Sequence, residues 1–337
     1  MLRHSSDSEP GYTRQKKGRA WAYFDGDKRV TDRDEIDRLN SLALPPAYVD
    51  AWFCKDANGH LQATGKDARG RKQYRYHADF RAKNDASKYD GCREFGEALP
   101  KIRHRVERDL ARRTLDRDQV LSAVVRLLDT EHMRIGNEQY ARDNKSFGLS
   151  TLRSRHVRKK NGRMKMRYTG KHGIVHEATI TDASLKRIVA KCQELPGQML
   201  FQFLNEDGEP QPISSSDVND YIRDASGGDF TAKHFRTWGA SVIFFEQLLA
   251  SADDERKTLK TVLEPVAEAL GNTVTMSRKS YVHPCLIEAL QDDARDPLHG
   301  MKRPRARRRL SSAETGLLKF LKKKPKRSRK RATMAAS

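Results

Sequence analysis

The sequence predicts an α+β fold in three parts. A small β-rich domain covers residues 1–85, a larger and mainly helical domain with one β-hairpin covers residues 86–300, and a basic, disordered tail covers residues 301–337. Three observations predict this division. Hairpin-type turn dipeptides punctuate the first part, apolar residues recur at helical spacing through the second, and the third contains 15 lysines and arginines against one glutamate.

Two extended runs that contain turn dipeptides predict strands in the N-terminal domain. The first covers residues 21–30 around Asp25-Gly26, and the second covers residues 48–63 around Asn58-Gly59. Between them, residues 31–42 have the pattern of a short capped helix that ends before a Pro-Pro pair. We therefore expect a small β-rich module with one helix.

Residues 79–91 carry little periodic apolar signal, which predicts a linker or domain boundary. Beyond it, apolar residues recur at the spacing of a buried helix face. One stripe comprises Val120, Leu121, Val124, Val125, Leu127 and Leu128, and another comprises Phe235, Trp238, Val242, Phe245 and Leu249. A further helix is predicted to begin near Ser214 and to end before Gly227-Gly228.

One β-hairpin interrupts this helical half. Met164, Met166 and Tyr168 alternate with basic residues, which is the pattern of a strand. The glycine-bounded sequence at 170–173 then breaks the run, and residues 174–180 resume as a second strand. The hairpin therefore carries Lys171 near its tip.

The C-terminal part is predicted to lose regular structure. Pro284 opens the last core helix, with Leu286, Ile287 and Leu290 facing inward. From Arg303 onward the sequence is basic and of low complexity, which predicts disorder until a partner binds. On this interpretation the tail attracts polyanions without sequence specificity, and truncation near Lys302 leaves the chemistry of the folded part intact.

Composition excludes several classes of protein. No stretch approaches the roughly 18 consecutive apolar residues of a membrane span, and residues 1–10 lack the apolar core of a secretory signal. The four cysteines have neither disulfide nor zinc spacing. We expect no metal, no membrane partner and a reducing cytoplasm. The net charge of +21 favours a polyanionic partner such as nucleic acid.

Four segments of the helical half are informative because of their order along the chain. They are residues 133–140 (MRIGNEQY), 168–173 (YTGKHG), 233–238 (KHFRTW), and 270–273 (LGNT) followed by 277–284 (SRKSYVHP). Taken in order, they resemble the active-site segments of type IB DNA topoisomerases, specifically the small poxvirus-like branch that occurs in bacteria. Residues 44–48 (LPPAY) and 62–77 (QATGKDARGRKQYRYH) resemble the DNA-contacting module of that family.

The resemblance covers roughly residues 15–292 and implies both fold and activity. The fold is the one that type IB topoisomerases share with tyrosine recombinases. The activity is relaxation of positive and negative supercoils by a monomer that clamps duplex DNA. Neither ATP nor a metal or other cofactor takes part.

The resemblance also implies the role of four residues. Tyr281 attacks a phosphodiester and becomes linked to the 3′-phosphate, and the freed 5′-hydroxyl later reseals the strand. The leaving 5′-alkoxide is far more basic than a phenol of pKa about 10, so an acid must protonate it, and Lys171 occupies that position. Arg134 and Arg236 match the positions whose guanidinium groups stabilise the extra negative charge of the transition state.

Asn272 stands where many relatives have a histidine that donates to a phosphate oxygen. An amide N–H₂ supplies the same hydrogen bond without a charge. Asn272 therefore cannot act as a general acid or base, and the pH profile of the cleavage rate should lack a contribution from it.

Long hydrogen-bond donors mixed with aromatic side chains in the N-terminal module predict contacts in the major groove. If the segment is extended, Gln73 and Arg75 lie on one face and Tyr74 and Tyr76 on the other. The alternative is a β-module whose tyrosines pack its own core. The predicted DNA contacts are Gln62, Arg69, Arg71, Gln73, Tyr74 and Tyr76, with Tyr140, Arg142 and Lys145 as phosphate contacts beyond the Arg134 segment.

Two other hypotheses remain open on the sequence. A tyrosine recombinase shares the helical fold and the nucleophile, but recombinases generally have His-x-x-Arg at the second arginine, where this chain has lysine at position 233. A non-catalytic, basic DNA-binding protein would keep a vestigial pocket, although no catalytic position has been lost. We expect the protein to be cytoplasmic and associated with the nucleoid, while the basic run at 322–327 also resembles a nuclear-localisation patch.

Overall fold

The structure is a computed structural model that describes residues 2–18, 20–68, 70–87, 89–250, 258–291 and 304–323. The chain divides into two compact units, Met1–Asp90 and Gly91–Ser337. Within the described ranges, no helix is both long enough and apolar enough to cross a membrane.

The N-terminal unit is built on a six-stranded antiparallel sheet with the strand order β3-β2-β1-β4-β5-β6. Its strands are β1 (Tyr12–Lys17), β2 (Ala20–Asp25), β3 (Lys28–Arg29), β4 (Val49–Phe53), β5 (Leu61–Lys66) and β6 (Lys72–Tyr76). Helix α1 (Arg33–Ser41) lies between β3 and β4, and helix α2 (Ala78–Ser87) follows β6. Tyr23, Leu39, Leu44, Phe53 and Ala63 form the buried core of the unit.

The predictions for this unit are confirmed in most elements. The turn at Asp25-Gly26 joins β2 to β3, and α1 begins after Asp32, whose side chain accepts a hydrogen bond from the backbone of Asp34. The segment predicted as a linker or domain boundary forms α2 over most of its length, and the division between the two units falls within it, after Asp90. That helix has no apolar stripe, so its pattern in the sequence resembled a loop.

The C-terminal unit is mainly helical. Its helices are α3 (Cys92–Leu110), α4 (Arg117–Glu131), α5 (Glu138–Asn144), α6 (Ala183–Glu194), α7 (Ser215–Ser226), α8 (Ala232–Leu249), α9 (Leu259–Leu270), α10 (Val274–Ser280), α11 (Pro284–Gln291) and α12 (Ser312–Lys323). A three-stranded sheet contains β7 (Val157–Lys160), β8 (Arg163–Thr169) and β9 (Val175–Ile180), and a small hairpin pairs β10 (Gln202–Leu204) with β11 (Pro210–Pro212).

The periodic segments form the elements that their spacing predicts. The apolar faces of α4 and α8 lie in one large core, and residues of β8 are alternately buried and exposed. Helix α7 begins after Ser214, which caps the backbone N–H of Asp217, and it ends at Gly227 in the left-handed conformation. The hairpin prediction is confirmed, because β8 and β9 pair and the turn between them contains Lys171.

The prediction of a disordered tail is wrong for residues 312–323. Helix α12 packs on α3 and α8, with Leu317 and Phe320 buried. Glu314 is also buried, and it accepts hydrogen bonds from Arg103 at 2.8 Å and from the indole of Trp238 at 3.1 Å. Apolar residues at helical spacing therefore outweigh the flanking positive charge, and α11 is not the last helix of the core. Residues 324–337 lie outside the described part of the chain.

Candidate active site

Arg236 is fixed at the centre of the C-terminal unit. It lies on the first turns of α8 and is only 4% exposed. One guanidinium nitrogen, Nη2, donates to the carbonyl of Leu270 at 3.0 Å, and Nη1 donates to the carbonyl of His132. These carbonyls lie at the C-terminal ends of α9 and α4, so a single side chain connects three helices.

Arg134 and Asn272 reach the same place from two loops. Arg134 follows α4, which ends at His132 in the left-handed conformation (φ +50°). Asn272 follows Gly271, the left-handed residue that ends α9. Nη2 of Arg134 donates to Oδ1 of Asn272 at 2.6 Å. The amide nitrogen Nδ2 of Asn272 is buried and has no hydrogen-bond partner among the described residues, and neither has Nε of Arg236, so both donors are open to a ligand.

Tyr281 lies at the C-terminal end of α10, half-buried between the two arginines. Both guanidinium groups act on its hydroxyl through their charge, and Cζ of Arg236 lies 4.8 Å from its ring centroid. Burial alone would raise the pKa of Tyr281, but the neighbouring Arg236 and Arg134 outweigh it. The net pKa is below the ordinary value for tyrosine.

Two like charges lie close together in this site. Burial and the neighbouring charge of Arg134 lower the pKa of Arg236 to about 10. An anion placed between the two guanidinium groups would relieve this repulsion. Among the described residues, the cluster of Arg134, Arg236, Asn272 and Tyr281 therefore offers two cations, two unpaired N–H donors (Nε of Arg236 and Nδ2 of Asn272) and one hydroxyl of lowered pKa, which suits a single phosphate group.

The fifth predicted residue, Lys171, is in a different environment. It is exposed in a short 3-10 turn, Lys171–Gly173, between β8 and β9. Within the described parts of the chain, no hydrogen bond or ion pair joins it to the other four residues. The structure thus brings four predicted residues together and leaves the lysine on a turn.

Sequence reasoning missed two side chains at the site, Tyr168 and His176. They are paired across β8 and β9, and their rings stack with centroids 5.3 Å apart. Burial raises the pKa of Tyr168 to about 12, although Arg236 and Arg134 partly oppose the shift. The alternation in the hairpin was the available signal, because it places both residues on its inner face.

Of the predicted DNA contacts of the N-terminal unit, one group lies on or next to β6, and Gln62 lies apart from it on β5. Tyr74 and Tyr76 are exposed on β6 and stack on each other at 6.1 Å. Gln73 and Arg71 lie near them, and both donate to the carboxylate of Asp67. The strand alternates as predicted, with the tyrosines more exposed than the residues between them.

The prediction for Gln62 is wrong in this structure. Its side chain is 2% exposed, and Nε2 donates to the backbone carbonyls of Asp56, Ala57 and Gly59. Oε1 accepts a hydrogen bond from Arg38. Because its amide is used in shaping the loop before β5, Gln62 stabilises the module and is not available to read a base.

The other predicted DNA contacts lie on or near α5 or outside the described residues. Arg142 and Lys145 are exposed near α5, and Lys145 has a positive φ of 49°. Arg69 and the side chain of Tyr140 lie outside the described residues. Among the described residues, no group of three or more His, Cys, Asp or Glu side chains is arranged to hold a metal ion.

Comparison with known proteins places this geometry in a family. The profile of the eukaryotic DNA topoisomerase I catalytic core matches residues 77–303, and that of the bacterial DNA topoisomerase IB N-terminal domain matches residues 20–67. Fold and site together define an enzyme that acts on DNA through a tyrosine. The chain belongs to the type IB DNA topoisomerase family, and duplex DNA is its substrate.

Relatives match over most of their length. DNA topoisomerase 1B of Acanthamoeba polyphaga mimivirus is 33% identical over 297 residues, which are 84% of this chain and 88% of the relative. DNA topoisomerase 1B of Vaccinia virus (strain Copenhagen) is 22% identical over 257 residues, 73% of this chain and 76% of the relative. A solved XerH site-specific recombinase bound to difH substrate covers 59% of this chain and 53% of its own, with 16% identity and a TM-score of 0.34, too low for a comparison of folds.

Proposed function

We propose that this protein relaxes supercoiled duplex DNA by cutting one strand with Tyr281, allowing the broken end to rotate, and resealing it. One observation carries the proposal: Tyr281 lies against Arg236, with Cζ 4.8 Å from its ring centroid, and the charges of Arg236 and Arg134 lower the pKa of its hydroxyl. A hydroxyl of lowered pKa between two cations is suited to attack a phosphodiester.

In the cleavage step, the phenol oxygen of Tyr281 forms a bond to phosphorus and the bond from phosphorus to the 5′-oxygen breaks. The phenol proton passes to solvent, which the lowered pKa of Tyr281 favours. The product is a 3′-phosphotyrosine that retains the phosphodiester energy. Resealing reverses the step, because the 5′-hydroxyl attacks phosphorus and Tyr281 leaves, so no nucleotide is consumed.

Arg134, Arg236 and Asn272 would stabilise the negative charge that builds on the non-bridging oxygens. Each arginine offers a guanidinium group, and Nδ2 of Asn272 offers a neutral donor that has no partner in the described part of the chain. Such donors are most effective when they are fixed before the reaction begins. The hydrogen bonds from Arg236 to backbone carbonyls, and from Arg134 to Asn272, supply that fixation.

Lys171 would protonate the leaving 5′-oxygen. Its exposed turn leaves the ammonium group accessible to bound DNA. Because no hydrogen bond or ion pair with the other four residues fixes it in the described part of the chain, we propose that DNA binding brings it to the scissile bond.

The N-terminal unit would supply contacts to the duplex. Tyr74 and Tyr76 present exposed rings for sugars and phosphates, and Arg71 and Gln73 present donors for base edges. We propose that the enzyme acts as a monomer that clamps DNA, and that it is found with the nucleoid in the cytoplasm. It would need neither a nucleotide nor a metal.

The test is relaxation of a supercoiled plasmid in EDTA without nucleotide, with Tyr281→Phe and Tyr168→Phe assayed in parallel. The second variant is a matched control, because it removes the hydroxyl of another buried tyrosine at the site. We expect the wild type and Tyr168→Phe to relax the plasmid and to form a covalent adduct with DNA, while Tyr281→Phe does neither. Activity in Tyr281→Phe, or none in the folded wild type, would overturn the proposal.

A further inference from the structure

His176 occupies a position between the Lys171 turn and the loop that carries Asn272. It lies on β9, directly across from Tyr168 on β8, and the two rings are nearly parallel, with an interplanar angle of 16°. The stacking holds the imidazole on the side of the hairpin that faces the active site.

Two glycines, about 100 residues apart in sequence, accommodate the edges of this ring. A Cβ atom at Gly170 would lie 2.6 Å from Cδ2 and 2.8 Å from Nε2 of His176. A Cβ atom at Gly271 would lie 2.9 Å from Nδ1 and would also overlap Cε1. The ring fits only because neither residue has a side chain.

Both glycines adjoin residues of the proposed chemistry. Gly170 precedes Lys171, and its N–H donates to the carbonyl of Ile174 at 2.7 Å, which closes the turn. Gly271 precedes Asn272, the partner of Arg134. The imidazole therefore forms a packed connection between the turn that carries the lysine and the cluster that contains the nucleophile.

The charges around the ring favour its neutral form. Burial lowers the pKa of His176, and the cations of Arg134 and Arg236 lower it further. The phenol of Tyr168 stacks on the ring, and burial keeps this group neutral as well by raising its pKa to about 12. A neutral ring in this place is suited to packing.

We propose that His176 is a positioning residue for Lys171: its ring, packed between Gly170 and Gly271, sets the place of the Lys171 turn relative to the arginine–tyrosine cluster. The inference rests on the proposed role of Lys171 as the acid. Loss of the ring frees the turn, so that protonation of the leaving oxygen slows. The cluster itself remains intact, because its hydrogen bonds do not involve His176.

The experiment compares two DNA substrates that differ only in the leaving atom. One has the natural 5′-oxygen at the scissile bond, and the other has sulfur in its place. A thiolate is much less basic than an alkoxide and leaves without an acid. Single-turnover formation of the covalent adduct is measured on both substrates for the wild type, Lys171→Ala, His176→Ala and His176→Phe. The control His156→Ala removes another partly buried imidazole near Tyr168, with ring centroids 6.5 Å apart.

We expect His176→Ala to slow adduct formation by on the order of 10-fold to 100-fold on the oxygen substrate, as for a misplaced catalytic group. On the sulfur substrate, the rates of His176→Ala and Lys171→Ala should both lie within about threefold of the wild-type rate. The sulfur leaves without an acid, so a misplaced or missing lysine no longer slows the step. His176→Phe keeps a flat ring and should stay within about threefold on both substrates, and His156→Ala should leave the ratio of the two rates unchanged. The ratio is insensitive to the fraction of folded enzyme.

Three results would overturn the inference. They are an equal loss on both substrates in His176→Ala, no loss on either, and a loss in His176→Phe as large as in His176→Ala, which would indicate a chemical role for the imidazole. Failure of sulfur to rescue Lys171→Ala would instead refute the acid role on which the inference rests. Adduct formation by Tyr281→Phe would refute the proposed function as a whole, so the failures are distinguishable.

Discussion

The arginine–tyrosine cluster and the Lys171 turn are two halves of one proposed reaction, yet they are held in opposite ways. Arg236 is buried and bonded to two helix ends, and Arg134 is bonded to Asn272. Lys171 is exposed on a turn, and the packing of His176 against Gly170 and Gly271 connects that turn to the cluster.

The difference indicates which parts are assembled before DNA binds. Groups that stabilise charge act best when fixed, since no reorganisation is then needed during the reaction. The proton donor must reach an atom that belongs to the substrate, so its position is completed by the substrate. We therefore expect substitutions in the cluster to act on every substrate, and substitutions at the turn to depend on the leaving group.

The largest effect is expected for Arg236→Ala. Removal of a preorganised donor costs on the order of 10²–10³ in rate. The measurement is single-turnover cleavage of saturating DNA, with thermal unfolding recorded in parallel. Arg167→Ala is the control, because this arginine lies on β8 and forms an exposed ion pair with Glu177. Equal cleavage losses in both variants would show that the cluster has no special role.

The second prediction concerns the contribution of α12, which packs on α3 and α8, to the stability of the protein. Truncation after Arg303 removes α12 and exposes Arg103 and Trp238, which now contact Glu314. Breaking such a buried pair costs on the order of 3–5 kcal/mol, so we expect a large fall in the free energy of unfolding and a loss of cleavage. Truncation after Lys323 is the matched control, and it should weaken DNA association at high salt without changing cleavage of bound DNA. A similar melting temperature for both truncations would contradict this expectation.

The stability that Glu314 contributes also has a defined pH dependence. Burial alone would raise its pKa, but the hydrogen bond and charge of Arg103 outweigh it, and the folded pKa lies below the ordinary value. The contribution is therefore fully present above the unfolded pKa of about 4.3 and is lost as pH falls through the folded pKa. Acid unfolding curves of Glu314→Gln and the wild type should converge at low pH and separate at higher pH.

Asn272→Ala should have a smaller effect, on the order of 10-fold in the cleavage rate. It removes one neutral donor and the acceptor that orients Arg134, while both arginines remain. Asn272→His should recover most of the rate, because an imidazole also donates a hydrogen bond. The recovered enzyme should show an added ionisation near pH 6.5 that the wild type lacks. An identical pH profile would argue against contact between residue 272 and the phosphate.

The smallest expected change is a displacement of the pH profile. Because the pKa of Tyr281 is lowered, cleavage should rise with pH and level off below about 10, the value for a free phenol. In Arg134→Ala the pKa of Tyr281 should rise, which moves the midpoint upward. The measurement is cleavage of the sulfur substrate, since this leaving group does not need Lys171 as an acid. An unchanged midpoint would mean that Arg134 does not act on the nucleophile.

Features set by local sequence were predictable. The alternation in β8, the cap at Ser214 and the apolar face of α8 each lie within one segment, and each formed the expected element. The grouping of Arg134, Arg236, Asn272 and Tyr281 followed from the family resemblance, because these residues come from separate segments that only the fold brings together.

The features that were missed depend on distant contacts. Gln62 is buried by carbonyls of a loop that folds over it, which composition does not reveal. The position of His176 depends on two glycines from different elements. Helix α12 was missed because the basic residues around it predicted disorder, although its apolar residues recur at helical spacing; α3 and α8 cover that apolar face.

The most direct test of the division between cluster and turn is the side-by-side cleavage rate of Arg236→Ala and Lys171→Ala on DNA with oxygen or sulfur as the leaving atom. We expect sulfur to restore Lys171→Ala to nearly the wild-type rate and to leave Arg236→Ala slow. Recovery of both variants, or of neither, would contradict this division.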